Sequence, residues 1–350
     1  DGGALPTATY QKFLTSTVPM KYNYGRVSFT GPTIAATRDT RGAYARVVDT
    51  EIRGVVDDLQ KEVNRQLWGI GYGILARWET GSSTSYTIQK SYTNNAVGPD
   101  AFGSTFGAKY LAENNSAVAV VLASMSSATS ATYTVDATDL AISAITNGTG
   151  STLTDTITVS NPTVTEAVGM FLVRPASLGA AAASGAHRLE MMGLRGIVDS
   201  DISLDNAAIN DNTDTGVGTT TPGIDWLQGV SASTYTWFQA IVMNHSSGRY
   251  GGQRAITDKL LQTMFDAVEK KAGKDYGPDL IMTTRPIRNE ILQLWKKDRR
   301  FVNTKEFDGG WTGLEYNGIG IFVDNDAIDG EIYFLTTKDL QIYRMSDYDW

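Results

Sequence analysis

Cysteine is absent from the 350 residues, and histidine occurs twice, as His187 and His245. Disulfide frameworks, thiolate nucleophiles and Cys/His zinc sites are excluded, and most metal and nucleophile motifs fall with them. Charge is sparse: Asp, Glu, Lys and Arg make up 19% of the chain, below the ~25% usual for soluble domains. A basic excess is also missing. Thirty basic residues face 38 acidic ones, for a net charge of −8, so the surface is not built to neutralise a phosphate backbone. No apolar run approaches the ~20 residues that cross a bilayer, and no basic-then-apolar signal opens the chain, so a soluble protein is expected. The first residues are Asp1-Gly2-Gly3 without an initiator Met, which points to an upstream segment that is cleaved or lies outside the numbering.

Hydrophobic residues are not scarce. At 41% of the chain they suffice for a buried core and, by length, for roughly two domains. Low charge combined with 35 glycines suggests extensive surface covered by something other than water.

Residues 1–36 alternate apolar and polar side chains between Gly and Pro breaks, as in Met20-Lys21-Tyr22-Asn23-Tyr24-Gly25. That pattern reads as an extended β-ribbon with turns. A different period follows over 37–73. Tyr44, Val48, Ile52, Val55, Leu59, Val63 and Leu67 recur every three or four residues, forming one stripe of a long helix with Arg46, Arg53, Asp57, Lys61 and Arg65 placed away from it. Asp39 or Thr40 can cap its start, and Gly69 is expected to stop it in a left-handed conformation. Such a helix runs about 40 Å, the length of a strut.

The stretch 74–190 loses the helical period. Between Ala112 and Ala186 only Glu113, Asp136, Asp139, Asp155, Glu166 and Arg174 are charged. Alternating runs at Ala131–Val135, Leu140–Ile145 and Thr154–Val159, separated by Asp136 and Asn147-Gly148, predict strands of a small sandwich or barrel. In 191–350 an acidic loop over Asp199–Gly223 precedes an amphipathic helix carrying Ile256, Leu260, Leu261, Met264, Phe265 and Val268, stopped by Gly273. A buried strand Leu280–Thr284, a helix capped by Thr284 with Ile287, Ile291, Leu292 and Trp295 inward, and strands at Gly318–Val323, Glu331–Leu335 and Leu340–Tyr343 complete the pattern. Helices and strands beside an all-β block make an α+β protein with a β insertion.

Catalytic constellations fare poorly. Gly69-Ile70-Gly71-Tyr72-Gly73 follows a helix instead of preceding one, so it presents the wrong dipole end to a phosphate. Asp199, Asp201 and Asp205 lack the Gly and Glu spacing of a calcium loop. Asp324 and Asp326, near Trp311 and Tyr316, superficially resemble a sugar cleft, but carboxylates at strand ends are ordinary turn chemistry. The basic cluster Lys296-Lys297-Asp298-Arg299-Arg300 suits a helix C-terminus or an intersubunit contact. No catalytic, cofactor or metal residues are assigned, and no cofactor or enzyme activity is expected.

An aromatic ribbon, a long helix ending in Gln66-Leu67-Trp68-Gly69-Ile70-Gly71-Tyr72-Gly73, and a compact α+β unit containing Pro278–Pro286, Tyr316–Asp324 and Gly330–Leu335 resemble the major capsid proteins of tailed bacteriophages, with the Hong Kong 97 type fold. The resemblance covers about two thirds of the chain by order and texture. It implies an extended loop (E-loop) over 1–36, a spine helix of the peripheral domain in 37–73, a β-rich region with an insertion domain over 74–190, and an axial domain with return strands over 191–350. The implied function is structural: self-assembly into an icosahedral shell enclosing a double-stranded DNA genome, held without sequence-specific binding. The implied partners are further copies of the chain in hexamers and pentamers, together with scaffolding, portal and decoration proteins, and no membrane. The implied location is the virion, assembled in the host bacterial cytoplasm. Assembly contacts are assigned to Tyr10, Phe13, Tyr22, Tyr24 and Phe29, since burying such side chains rewards association. The alternative is a surface or tail-associated binding module with a β-sandwich recognition domain.

Overall fold

The apolar stripe forms one helix, α1, spanning Arg41–Trp68 without a break. Its 28 residues extend about 42 Å. The structure is a computed structural model describing residues 13–16, 18, 20–28, 31, 41–69, 73–82, 84–89, 107–111, 117–122, 134–148, 154–159, 171–173, 190–198, 226–227, 230–231, 235–238, 240–243, 255–295, 305–307, 311–328 and 330–345. The candidate caps Asp39 and Thr40 lie outside them. The stripe residues Ile52, Val55, Leu59, Val63 and Leu67 are half-buried. Burial is greatest at the helix end, where Arg65, Gln66 and Trp68 are almost fully enclosed. Arg65 is therefore not on the solvent face where the periodicity put it.

Gly69 closes the helix by donating its N–H to the carbonyls of Arg65 and Gln66, each at 3.1 Å. It does so without the expected left-handed backbone; the positive φ falls on Gly73, at 72°. The Gly69 carbonyl accepts a hydrogen bond from Gly193 N at 3.1 Å.

Six strands follow: β1 (Ile74–Ser82), β2 (Ser85–Gln89), β3 (Ala117–Leu122), β4 (Thr134–Thr146), β5 (Thr154–Val159) and β6 (Phe171–Val173). They close a barrel in the order β1-β2-β5-β4-β3-β6 and, among the described residues, pair only with one another. All pairs are antiparallel. The sandwich alternative thus gives way to closure, which removes both edges. The two runs expected around Asp136 are one continuous strand, β4. Register shifts against β3 at Val118/Val120 and Val120/Val121 absorb the irregularity there, as bulges do. Alternation in β5 buries Asp155, Ile157 and Val159. Ile157 and Val159 join Leu75, Tyr86, Ile88, Ile142 and Leu172 in a core belonging to the barrel, while the Asp155 carboxylate accepts from the Ala108 and Gly148 N–H groups.

The second unit holds a short helix α2 (Leu194–Ile197), a two-stranded ribbon β7 (Trp226–Leu227) and β8 (Val230–Ser231), helix α3 (Asp258–Ala272), β9 (Leu280–Thr283), helix α4 (Arg285–Trp295), β10 (Lys305–Phe307), β11 (Trp311–Tyr316), β12 (Ile319–Val323) and β13 (Tyr333–Leu335). The last five strands form a sheet in the order β10-β11-β12-β9-β13. β12 runs parallel to β9 and the other pairs are antiparallel. Thr257 Oγ1 caps α3 by accepting from Leu260 N at 3.1 Å, and Gly273, with φ 92°, ends it. Between β11 and β12, Asn317 (φ 48°) and Gly318 (φ 81°) both take positive φ, as a two-residue turn matched to sheet twist requires.

Strand alternation gives the sheet two buried faces. Ile281, Leu314, Ile321 and Phe334 pack with Leu261 of α3 and Ile287 and Ile291 of α4. Leu280, Met282, Tyr333 and Leu335 pack on Trp68, Leu194 and Val198. The end of α1 is thus built into the sheet unit, with the Trp68 ring meeting Tyr333 edge-on at 5.4 Å. The chain is an α+β protein.

Two expected strands are absent. Residues 13–28, expected as a β-ribbon, contribute no strand among the described residues. A lone hairpin is marginal in water, and this segment takes its contacts from α1 instead. Leu340–Tyr343 likewise forms no strand, and Ile342 and Tyr343 point to solvent. Alternation alone does not make a strand where no neighbouring edge is offered.

Candidate functional site

Two features stand out, an exposed aromatic arm and a polar joint at the end of α1. In the arm Phe13 is 88%, Tyr22 67% and Tyr24 83% exposed. Leu14, Val18 and Met20 are also exposed. Tyr10 and Phe29 lie outside the described residues. Tyr22 and Tyr24, two apart on an extended chain and hence on one side of it, stack at 6.1 Å with 10° between ring planes. The arm is held at its base. Asn23 Oδ1 accepts from Gln66 Nε2 at 3.0 Å. Gly25 passes so close to α1 that a Cβ would sit 2.5 Å from Val55 Cγ1. The segment therefore meets its own helix through polar and steric contacts, while Phe13, Tyr22 and Tyr24 remain in water.

At the joint, Arg65 is 4% exposed and pairs with Glu62 and with Glu190, the latter at 2.6 Å. Burial opposes its charge, but the hydrogen bonds and fields of Glu62 and Glu190 outweigh that and raise its pKa above the ordinary arginine value. Beside it, the turn 107–111 of the barrel meets the loop after β12. Asp326 Oδ1 accepts from Tyr110 OH at 2.8 Å and from Lys109 Nζ, and Oδ2 accepts from Asn64 Nδ2 at 2.5 Å. Lys109 also donates to the Asn325 carbonyl at 2.7 Å. Asp324 Oδ1 accepts from Asp326 N at 2.7 Å and from Asn64 Nδ2 at 3.3 Å. Burial would lift the Asp326 carboxyl, but the donors Lys109, Tyr110 and Asn64 prevail and hold it below the ordinary value of 3.8. Burial and the Asp326 charge push the Tyr110 phenol up, so it remains a donor.

The pair Asp324 and Asp326 is thus occupied in tying three segments together. Asp324 also performs the turn role expected of it. The tie escaped sequence reasoning because Asn64, Lys109 and Asp326 are far apart in the chain, and nothing local marks Lys109 or Tyr110. Among the described residues no group of three or more His, Asp or Glu side chains is arranged to hold a metal ion. No described helix is long and apolar enough to cross a membrane. His187, His245, the acidic loop 199–223 and the basic cluster 296–300 lie outside the described residues. Family models, curated proteins and solved structures were each compared with the chain, and none matches.

Proposed function

We propose that this chain is a structural shell protein of the Hong Kong 97 type, a major capsid subunit that self-assembles around a double-stranded DNA genome. The observation that carries this reading is the arm: Phe13, Leu14, Val18, Met20, Tyr22 and Tyr24 stand exposed on a segment whose Asn23 is tied to Gln66 at the end of α1. A lone subunit leaves much of this apolar surface in water. A neighbour that covers them gains about 1.5–3 kcal/mol per large apolar group. The order of units adds support: arm, 28-residue helix, inserted barrel, then a sheet unit clasping the helix end. The charge of −8 suits a wall that encloses a polyanion without gripping it.

The test is a chain carrying Phe13→Ser, Tyr22→Ser and Tyr24→Ser. Sedimentation velocity is expected to show large assemblies for the parent and single subunits for the variant, with both melting at the same temperature. Parent chains that remain monomers or trimers would favour the binding-module reading, in which the closed barrel is the recognition part. A variant that assembles as well as the parent would remove the arm from the interface.

A further inference from the structure

Among the described residues no barrel strand pairs with the five-stranded sheet, yet Tyr110 bridges the two units. The ring packs against the barrel core, while the hydroxyl donates to Asp326 of the sheet unit at 2.8 Å. Lys109, next in the same turn, donates to Asp326 and to the Asn325 carbonyl. From α1, Asn64 donates to the other carboxylate oxygen at 2.5 Å.

We propose that Asp326 is a charge-dependent latch that fixes the barrel on the helix and sheet unit, with Lys109 and Tyr110 as the barrel's half and Asn64 aiming the carboxylate. Three donors, one of them the Lys109 ammonium, converge on two oxygens, and an ionised carboxylate serves all three as an acceptor with charge to match. An amide at this position keeps one acceptor oxygen, puts an NH2 group in place of the other and carries no charge to pair with Lys109. Among the described residues, opening the latch breaks no backbone ladder between the units, so the barrel can reorient on α1 while both cores stay intact. The surrounding donors also hold the carboxyl below its ordinary value, which keeps the latch charged in neutral and mildly acidic solution. This inference stands apart from the shell reading, since it concerns one chain.

The experiment is amide hydrogen exchange on the full, unassembled chain, comparing the parent with Asp326→Asn. Exchange across 107–111 and 324–328 is expected to rise at least about tenfold, with β5 and β9 unchanged, as for local opening. Exchange across 107–111 within twofold of the parent overturns the proposal. If Asp326→Asn raises exchange throughout the chain, the decision passes to the double variant Lys109→Met, Tyr110→Phe, which leaves the sheet unit untouched. A local rise there supports the latch, and an unchanged or chain-wide response refutes it.

Discussion

Replacing Gly193 with alanine sets a side chain against the backbone of α1 at its buried end. The added Cβ would lie 2.1 Å from the Gln66 carbonyl oxygen and 2.5 Å from that of Leu67. Neither atom is the tip of a flexible side chain, so the two segments must separate by well over ~1 Å to reach ordinary contact. That movement stretches the hydrogen bond from Gly193 N to the Gly69 carbonyl and loosens Trp68 from Tyr333. Overpacking costs about 1–3 kcal/mol and the hydrogen bond about 1 kcal/mol, so a loss of about 2–4 kcal/mol is expected. Gly54 is the control. It lies within α1, and a Cβ there meets nothing within 4 Å, so Gly54→Ala should gain about 0.8–1 kcal/mol from helix propensity alone. At about 2–4 °C per kcal/mol, thermal denaturation of the unassembled chain should show the two melting temperatures moving in opposite directions. A Gly193→Ala chain that melts with the parent would refute the close approach of residue 193 to the helix end.

Other outcomes follow from single contacts. Thr257→Ala removes the cap of α3 and should cost about 1 kcal/mol by urea denaturation; no change would mean that water serves equally well. Ile291→Ala empties a fully buried position between α4 and the sheet and should cost about 2–5 kcal/mol, with a smaller loss indicating that the site collapses. Asp326 has a depressed folded pKa, so its stabilisation is present above the unfolded value and disappears as pH falls through the folded one. The melting difference between the parent and Asp326→Asn should therefore hold steady from neutral pH down to about 5, then shrink below 3.8. A difference that vanishes near neutral pH would contradict the assignment.

What was legible in the sequence was what repeats locally. The stripe from Tyr44 to Leu67 marked α1, alternation in Thr154–Val159 marked a barrel strand, and Thr284 with Ile287 and Ile291 marked α4. Exposure of Phe13, Tyr22 and Tyr24 also followed, because nothing near them in the chain could cover them. Pairing partners were not legible. β10 and β11 have no strong alternation of their own and owe their strands to their neighbours, β11 to β12 and β10 to β11, whereas Leu340–Tyr343 has the pattern and forms no strand. Arg65 was assigned to solvent by periodicity because the periodicity carries no record of Glu190, 125 residues away. The joint at Asp326 was hidden for the same reason: its donors come from α1 and the barrel, and only the closed fold brings them together.

Electron microscopy of the purified full chain at high concentration tests the shell reading most directly. Closed or tubular particles with walls of one repeating subunit lattice are the expected result. A field of separate monomers or trimers, under conditions in which the chain is folded, would contradict it.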